Sequence, residues 1–192
     1  MAALLDNIDP NGLEEFSVVF TDRSLNHMSK EFQQVMCDLS LNLKEVYNSK
    51  AVVLVPGGGT FAMEAVARQF GIDADVLVIR NGWFSYRWSQ IFETSANART
   101  TTVVKARMIG NESVAPFRPA EVDDVVNKIK TDRPNIVFAP HVETSAGVIL
   151  PDEYIKKIST AAHEVGALMV LDCIASSISI QTQPDAIQSR TI

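Results

Sequence analysis

Between Asn135 and Ile174 the chain carries two apolar runs, Asn135-Ile-Val-Phe-Ala139 and Ala167-Leu-Met-Val-Leu171, on either side of a stretch with helical spacing; the second run ends in a carboxylate, Asp172. Short apolar runs without alternation are strands buried on both faces, the kind found in parallel sheets covered by helices. Parallel neighbours need a crossover connection, and the helical stretch supplies one. The two strand ends are therefore expected side by side. That arrangement brings His141-Val-Glu143-Thr144-Ser145-Ala-Gly147 and Asp172 to the carboxyl edge, where open α/β sheets bind ligands. An ionised carboxylate there is costly unless something positive meets it. Asp172 is expected to face a cleft from the end of a central strand, within reach of Thr144.

The same alternation runs upstream. His27 to about Asn48 carries Met28, Phe32, Val35, Met36, Leu39, Leu43 and Val46 on one face of a long amphipathic helix. Ala51-Val-Val-Leu-Val55 reads as a buried strand, followed by Pro56-Gly57-Gly58-Gly59-Thr60 and a helix with Met63, Val66, Ala67 and Phe70 on one face, stopped by Gly71. A strand at 75–79, the turn Asn81-Gly82, a helix from about Trp83 and a strand over 99–106 come next. A helix over 121–132 leads into the strand at Asn135, and a helix after Pro151 ends at Gly166. Strands alternating with helices in this way predict an α/β fold: a three-layer domain with a mainly parallel sheet. The sequence divides into an irregular segment, 1–24, containing Pro10-Asn-Gly12; a large domain, 25–177; and a polar tail, 178–192, where both periods fail.

Charge and composition narrow the partners. A net charge of −6 with scattered Lys and Arg argues against nucleic acid, which requires clustered cations. No apolar run reaches membrane-span length and the start reads as no secretory signal, so no membrane is expected. Cys37 and Cys173 lie far apart with no metal-ligand spacing and read as free thiols of a reducing compartment, the cytoplasm by default.

Taken singly, the candidate groups leave alternatives open. Gly57-Gly58-Gly59-Thr60 is a tight turn or an anion cradle at a helix N-terminus, without the third glycine of a dinucleotide fingerprint. Phe84 either stacks on a planar ring or joins Trp88, Ile91 and Phe92 in the core. His141 and Glu143 suggest a metal ligand or acid/base pair, although no further ligand stands at a useful spacing. Thr144 and Ser145 have no neighbouring base to activate them. Asp172 either faces a cleft or caps the next helix. Jointly they form an ordered series along the chain: phosphate cradle, ring-stacking aromatic, hydroxyl turn, carboxylate. Pyridoxal phosphate needs these groups, and its ring nitrogen needs an anion to stay protonated.

Gly57-Gly-Gly-Thr-Phe-Ala-Met-Glu-Ala65, Asn81-Gly-Trp-Phe-Ser-Tyr-Arg87, His141-Val-Glu-Thr-Ser-Ala-Gly-Val148 and Leu171-Asp-Cys-Ile-Ala-Ser176 together resemble the class V aminotransferases of fold type I, within them the alanine–glyoxylate and serine–pyruvate group. Asn26-His-Met-Ser-Lys-Glu-Phe32 resembles the helix start on the family's dimer side. The resemblance implies a homodimer that uses pyridoxal phosphate to move an amino group from alanine or serine to glyoxylate or pyruvate. It implies that Gly58, Gly59 and Thr60 hold the phosphate and Phe84 stacks on the ring. Thr144 would contact the phenolic side, Asp172 would pair with the ring nitrogen, and Ile174 would press on the other face. Gly58 stands where relatives commonly have Ser, and Val142 where Gly is usual. The family's Lys that forms the Schiff base lies downstream of the Asp strand, whereas this chain has no Lys after Lys157. No catalytic residue is assigned. The chain is expected to be a fragment without the small C-terminal domain and inactive by itself. Rival expectations are a non-catalytic protein of the same fold, such as a partner subunit, and a Rossmann-type nucleotide-binding module.

Overall fold

The computed structural model describes residues 14–15, 24–25 and 27–176. They fall into two compact units, one ending at Leu54 and one beginning at Val55. In the first, the two-residue strands β1 (Glu14–Glu15) and β2 (Ser24–Leu25) pair antiparallel inside a stretch expected to be irregular. Pro10-Asn-Gly12 and the tail over 178–192 lie outside the described residues. The long helix forms as expected, as α1 (Lys30–Val46), with Ser29 as its N-cap accepting from the Phe32 amide at 3.1 Å. Its apolar stripe is left without a fully buried residue: Met28, Val35, Leu39 and Val46 are exposed.

The strand expected over 51–55 does not form. The segment has no ladder partner among the described residues, and Val53 is 82% exposed. Local β-branched content favours extended backbone, but a strand exists only when another strand pairs with it.

The second unit begins with α2 (Gly59–Phe70), β3 (Asp75–Arg80), α3 (Trp83–Ser95) and β4 (Thr100–Lys105). A hairpin follows, β5 (Arg107–Met108) with β6 (Phe117–Arg118), where no strands were expected. Then come α4 (Val122–Asp132), β7 (Ile136–Pro140), a second hairpin of β8 (Val142–Glu143) and β9 (Val148–Ile149), α5 (Asp152–Glu164) and β10 (Leu168–Asp172). Four strands make one parallel sheet in the order β10-β7-β3-β4. The ends of β7 and β10 do lie side by side, with Asp172 opposite Pro140. Among the described residues, Asp172 nevertheless ends an edge strand, not a central one. An apolar run reports burial of both faces, which helices provide, and says nothing about having a strand on each side.

Alternation along the strands splits the core into two layers. Leu77, Ile79, Val137, Ala139 and Met169 pack against α4 and α5 through Val125, Ile129, Ile155 and Ile158. Val76, Val78, Ile136, Phe138 and Val170 pack against α2 and α3 through Ala67, Trp88 and Phe92. Phe138 meets Trp88 at 4.4 Å and Phe92 at 5.3 Å between ring centroids. At the amino edge Asp75 holds the register. It accepts from Arg99 and from Thr100 Oγ1, and its amide donates to Asn135 Oδ1 at 2.8 Å.

The crossovers fix where a ligand sits. From β3 the chain passes through α3 to β4 on one side, and from β7 through α5 to β10 on the other. The two helices cover opposite sheet faces, as right-handed connections require. The strand order reverses between β3 and β7, and open α/β sheets bind their ligands outside the carboxyl ends of the strands at such a switch point.

Candidate functional site

The first wall of this site is the N-terminus of α2. Gly58 is its N-cap and offers no side chain to bond the first-turn amides, and no acidic residue stands in that turn. Free amides and an uncompensated helix dipole suit an anion. Gly59 is closely approached: a Cβ there would lie 2.4 Å from Ile174 Cδ1, so the turn after β10 rests on the first turn of α2. The Thr60 hydroxyl accepts from the Arg87 guanidinium at 3.2 Å, tying α2 to α3.

The second wall is the start of α3, and Glu143 builds it. This carboxylate is 0% exposed. Its Oε1 accepts from the Phe84 amide at 3.1 Å and from Ser145 Oγ; its Oε2 accepts from the Ser85 amide at 2.9 Å and Ser85 Oγ at 2.6 Å. Ser145 Oγ in turn accepts from the Trp83 amide at 2.8 Å. Burial alone would push the Glu143 carboxyl up, but the bonds from Ser145, Ser85 and the two amides outweigh it and hold the group below the usual glutamate range. Gly82 makes room for this: a Cβ there would fall 2.5 Å from Ser145 Oγ and 2.6 Å from Glu143 Cγ. Phe84 itself is 49% exposed, whereas Trp88 and Phe92 are buried, so Phe84 stands apart from the core.

Asp172 lies on the α2/α3 side of the sheet, two residues beyond Val170. Its Oδ1 accepts from the Ile174 amide at 3.3 Å. Burial raises its carboxyl above the ordinary aspartate range, and the Glu143 charge adds to this. The Ile174 amide and the nearby Trp88 indole oppose the rise. That indole N–H is buried and reaches hydrogen-bond geometry with no described partner. The backbone here is pinned: the His141 amide donates to the Asp172 carbonyl at 2.9 Å, and His141 Nδ1 bonds Ser176 Oγ at 2.8 Å. Burial pushes the Cys173 thiol up to about 12, which makes it inert.

The groups expected at the site thus occupy one edge, tied in pairs. Gly59 touches Ile174, Thr60 is linked to α3, Phe84 is anchored to the turn that carries Thr144, and Asp172 bonds the Ile174 amide. Thr144 is exposed, its hydroxyl bound to no described residue, and no bond joins it to Asp172. His141 and Glu143 are not a metal or acid/base pair: each is engaged elsewhere, and no cluster of three metal-ligating side chains occurs among the described residues. The tie of Glu143 and Ser145 to the amides of Trp83, Phe84 and Ser85 was not anticipated. A glycine before a helix with Ser at the third helical position hints at a capped start, but the partner lies 58 residues on.

A family model described as aminotransferase class-V matches residues 13–189. Among curated proteins, a soluble hydrogenase small subunit from Synechococcus sp. is 29% identical over 154 residues, covering 79% of this chain and 38% of that protein. Alanine–glyoxylate aminotransferase of Rattus norvegicus is 26% identical over 157 residues, covering 80% and 35%. The crystal structure of ureidoglycine–glyoxylate aminotransferase from Bacillus subtilis superposes with a TM-score of 0.63 at 25% identity, covering 76% of this chain and 35% of that one. The chain therefore spans well under half the length of these relatives.

Proposed function

The chain belongs to the class V aminotransferases, a family whose cofactor is pyridoxal phosphate, and from that premise we propose that its carboxyl sheet edge holds this cofactor for amino transfer between a small amino acid and a 2-oxo acid. Asp172 carries the proposal. It is a partly buried acid, raised by desolvation, with one amide bond at 3.3 Å; it needs a cation, and a protonated ring nitrogen is one. The first-turn amides of Gly59 and Thr60, with Gly58 before them, take the phosphate. Phe84 and Ile174 flank the ring and Thr144 meets its phenolic side. Bound there, the cofactor supplies an electron sink for charge developing on the substrate carbon. Asp172 contributes by keeping a proton on the ring nitrogen, while Phe84 and Ile174 exclude water from the ring faces.

We propose alanine or serine as donor and glyoxylate or pyruvate as acceptor; the names of the rat and Bacillus relatives support glyoxylate, and that of the rat relative supports alanine. The residues present bind and orient; they offer no lysine after Lys157. Lys128, Lys130, Lys156 and Lys157 stand on α4 and α5, over the opposite sheet face from Asp172, and three of them pair with acids. We therefore hold that this chain by itself binds the cofactor without turnover. Association as a homodimer is supported by the unburied apolar stripe of α1, and a cytoplasmic location by two free thiols. The hydrogenase-subunit name of one relative supports a second proposal, a non-catalytic subunit of the same fold. A nucleotide-binding turn has less support, since the strand expected before Gly57 does not form.

Titration of the chain with pyridoxal phosphate, followed by absorbance and induced circular dichroism, tests the proposal. Saturable binding that Asp172→Ala abolishes, with no turnover of alanine and glyoxylate, is expected. Absence of binding, or binding indifferent to Asp172, refutes it.

A further inference from the structure

We infer that Glu143 is a positioning residue, which sets the place of the Phe84 ring over the cofactor by holding the first turn of α3 to the turn that carries Thr144; the inference rests on the cofactor site proposed above. Three amides open α3, and all three are bound by one remote turn. Trp83 donates to Ser145 Oγ, Phe84 to Glu143 Oε1 and Ser85 to Glu143 Oε2. Two hydroxyls, of Ser85 and Ser145, complete the carboxylate's four bonds.

This is more than a helix cap requires. A Ser or Asp at position 82 would cap α3 locally and cheaply. The position is instead Gly, left without a side chain so that a fully buried carboxylate can approach from 58 and 59 residues away. Burying that charge is costly unless all its bonds are made. Phe84, meanwhile, has no ring partner among the described residues: the close ring pairs nearby are Trp83 with Tyr86, and Trp88 and Phe92 with Phe138. With its ring half exposed and outside the buried core, its position is fixed through its backbone, and Glu143 holds that backbone. The residue after Glu143 is Thr144, so one carboxylate sets the spacing between two cofactor contacts distant in sequence.

A double-mutant cycle on the full chain tests this. Affinities for pyridoxal 5′-phosphate and for inorganic phosphate are measured by calorimetry for the unsubstituted chain, Glu143→Gln, Phe84→Ala and the double variant, with circular dichroism confirming that each is folded. Glu143→Gln keeps size, removes the charge and turns one of the two acceptor oxygens into a donor. It is expected to weaken pyridoxal 5′-phosphate about three- to tenfold, the worth of a well-placed aromatic contact, and to leave inorganic phosphate within about twofold. In the Phe84→Ala background it should cost under about twofold more, because the two residues act through one ring. An equal loss for both ligands, an undiminished loss in the Phe84→Ala background, or no loss at all overturns the inference while leaving the cofactor site standing. Failure of the folded, unsubstituted chain to bind pyridoxal 5′-phosphate overturns both. Should Glu143→Gln not fold, Ser145→Ala decides in its place: it removes one of the four bonds and the Trp83 tie, and the same pattern at smaller size is expected.

Discussion

Gly82→Ala adds one methyl group at the point where α3, the Thr144 turn and the carboxylate of Glu143 converge. Gly82 has φ 176° and ψ −152°, extended backbone that any residue adopts, so the cost is steric. The new Cβ would stand 2.5 Å from Ser145 Oγ, 2.6 Å from Glu143 Cγ and 2.7 Å from its Cδ. Overpacking of this kind costs about 1–3 kcal/mol. The displaced carboxylate would also give up bonds to a charged group, worth about 1.5–3 kcal/mol each. Loss of one such bond with partial strain gives about 3–5 kcal/mol, in line with breaking a buried charge's pairing. For a chain of this size that lowers Tm by roughly 6–20 °C. Gly166→Ala is the reference, since Gly166 has φ +82° with open space around it and would cost about 1–2 kcal/mol of backbone strain alone. Urea and thermal unfolding by circular dichroism at neutral pH compare the two. The pH dependence has a definite sign. Glu143 is lowered in the folded state, so its stabilisation is present above the unfolded value and lost as pH falls through the folded one. The gap between the unsubstituted chain and Gly82→Ala should narrow there. Gly82→Ala no more costly than Gly166→Ala would refute the reasoning.

Asp172→Asn should stabilise the cofactor-free chain at neutral pH, because an acid raised by burial penalises folding once ionised; the gain should vanish as pH falls below the unfolded aspartate value, and denaturant melts across pH check it. Gly58→Ser, whose Cβ meets nothing within 4 Å, should stabilise α2 by a few tenths of a kcal/mol and tighten inorganic phosphate about two- to tenfold through one added hydroxyl, as read by calorimetry. Iodoacetamide at mildly alkaline pH should label exposed Cys37 and spare Cys173, whose thiol is pushed up to about 12, as read by peptide mass mapping.

The sheet was legible where burial on both faces leaves its mark. Asp75–Ile79, Asn135–Ala139 and Ala167–Asp172 are apolar at every interior position because helices cover both sides, and each is a strand within a residue or two. Ala51–Val55 carries the same local signature without forming a strand, since pairing is a property of two segments and composition describes one. The hairpin of Arg107–Met108 with Phe117–Arg118 left no periodic trace because its strands are two residues long and exposed. At the proposed site, the places of Gly58, Phe84 and Asp172 at element ends were legible. Glu143 was seen only as an acid beside a histidine. Its bonds reach across 58 and 59 residues, and no local pattern encodes them.

Nitrogen NMR of pyridoxal phosphate labelled at its ring nitrogen, bound to this chain, tests directly whether Asp172 is the anion that the cofactor needs. With the unsubstituted chain the nitrogen is predicted to stay protonated well above its pKa in water, and with Asp172→Asn to lose its proton near the free value. A bound nitrogen that titrates as in free solution in both proteins, or stays protonated in both, would contradict the assignment of this carboxylate.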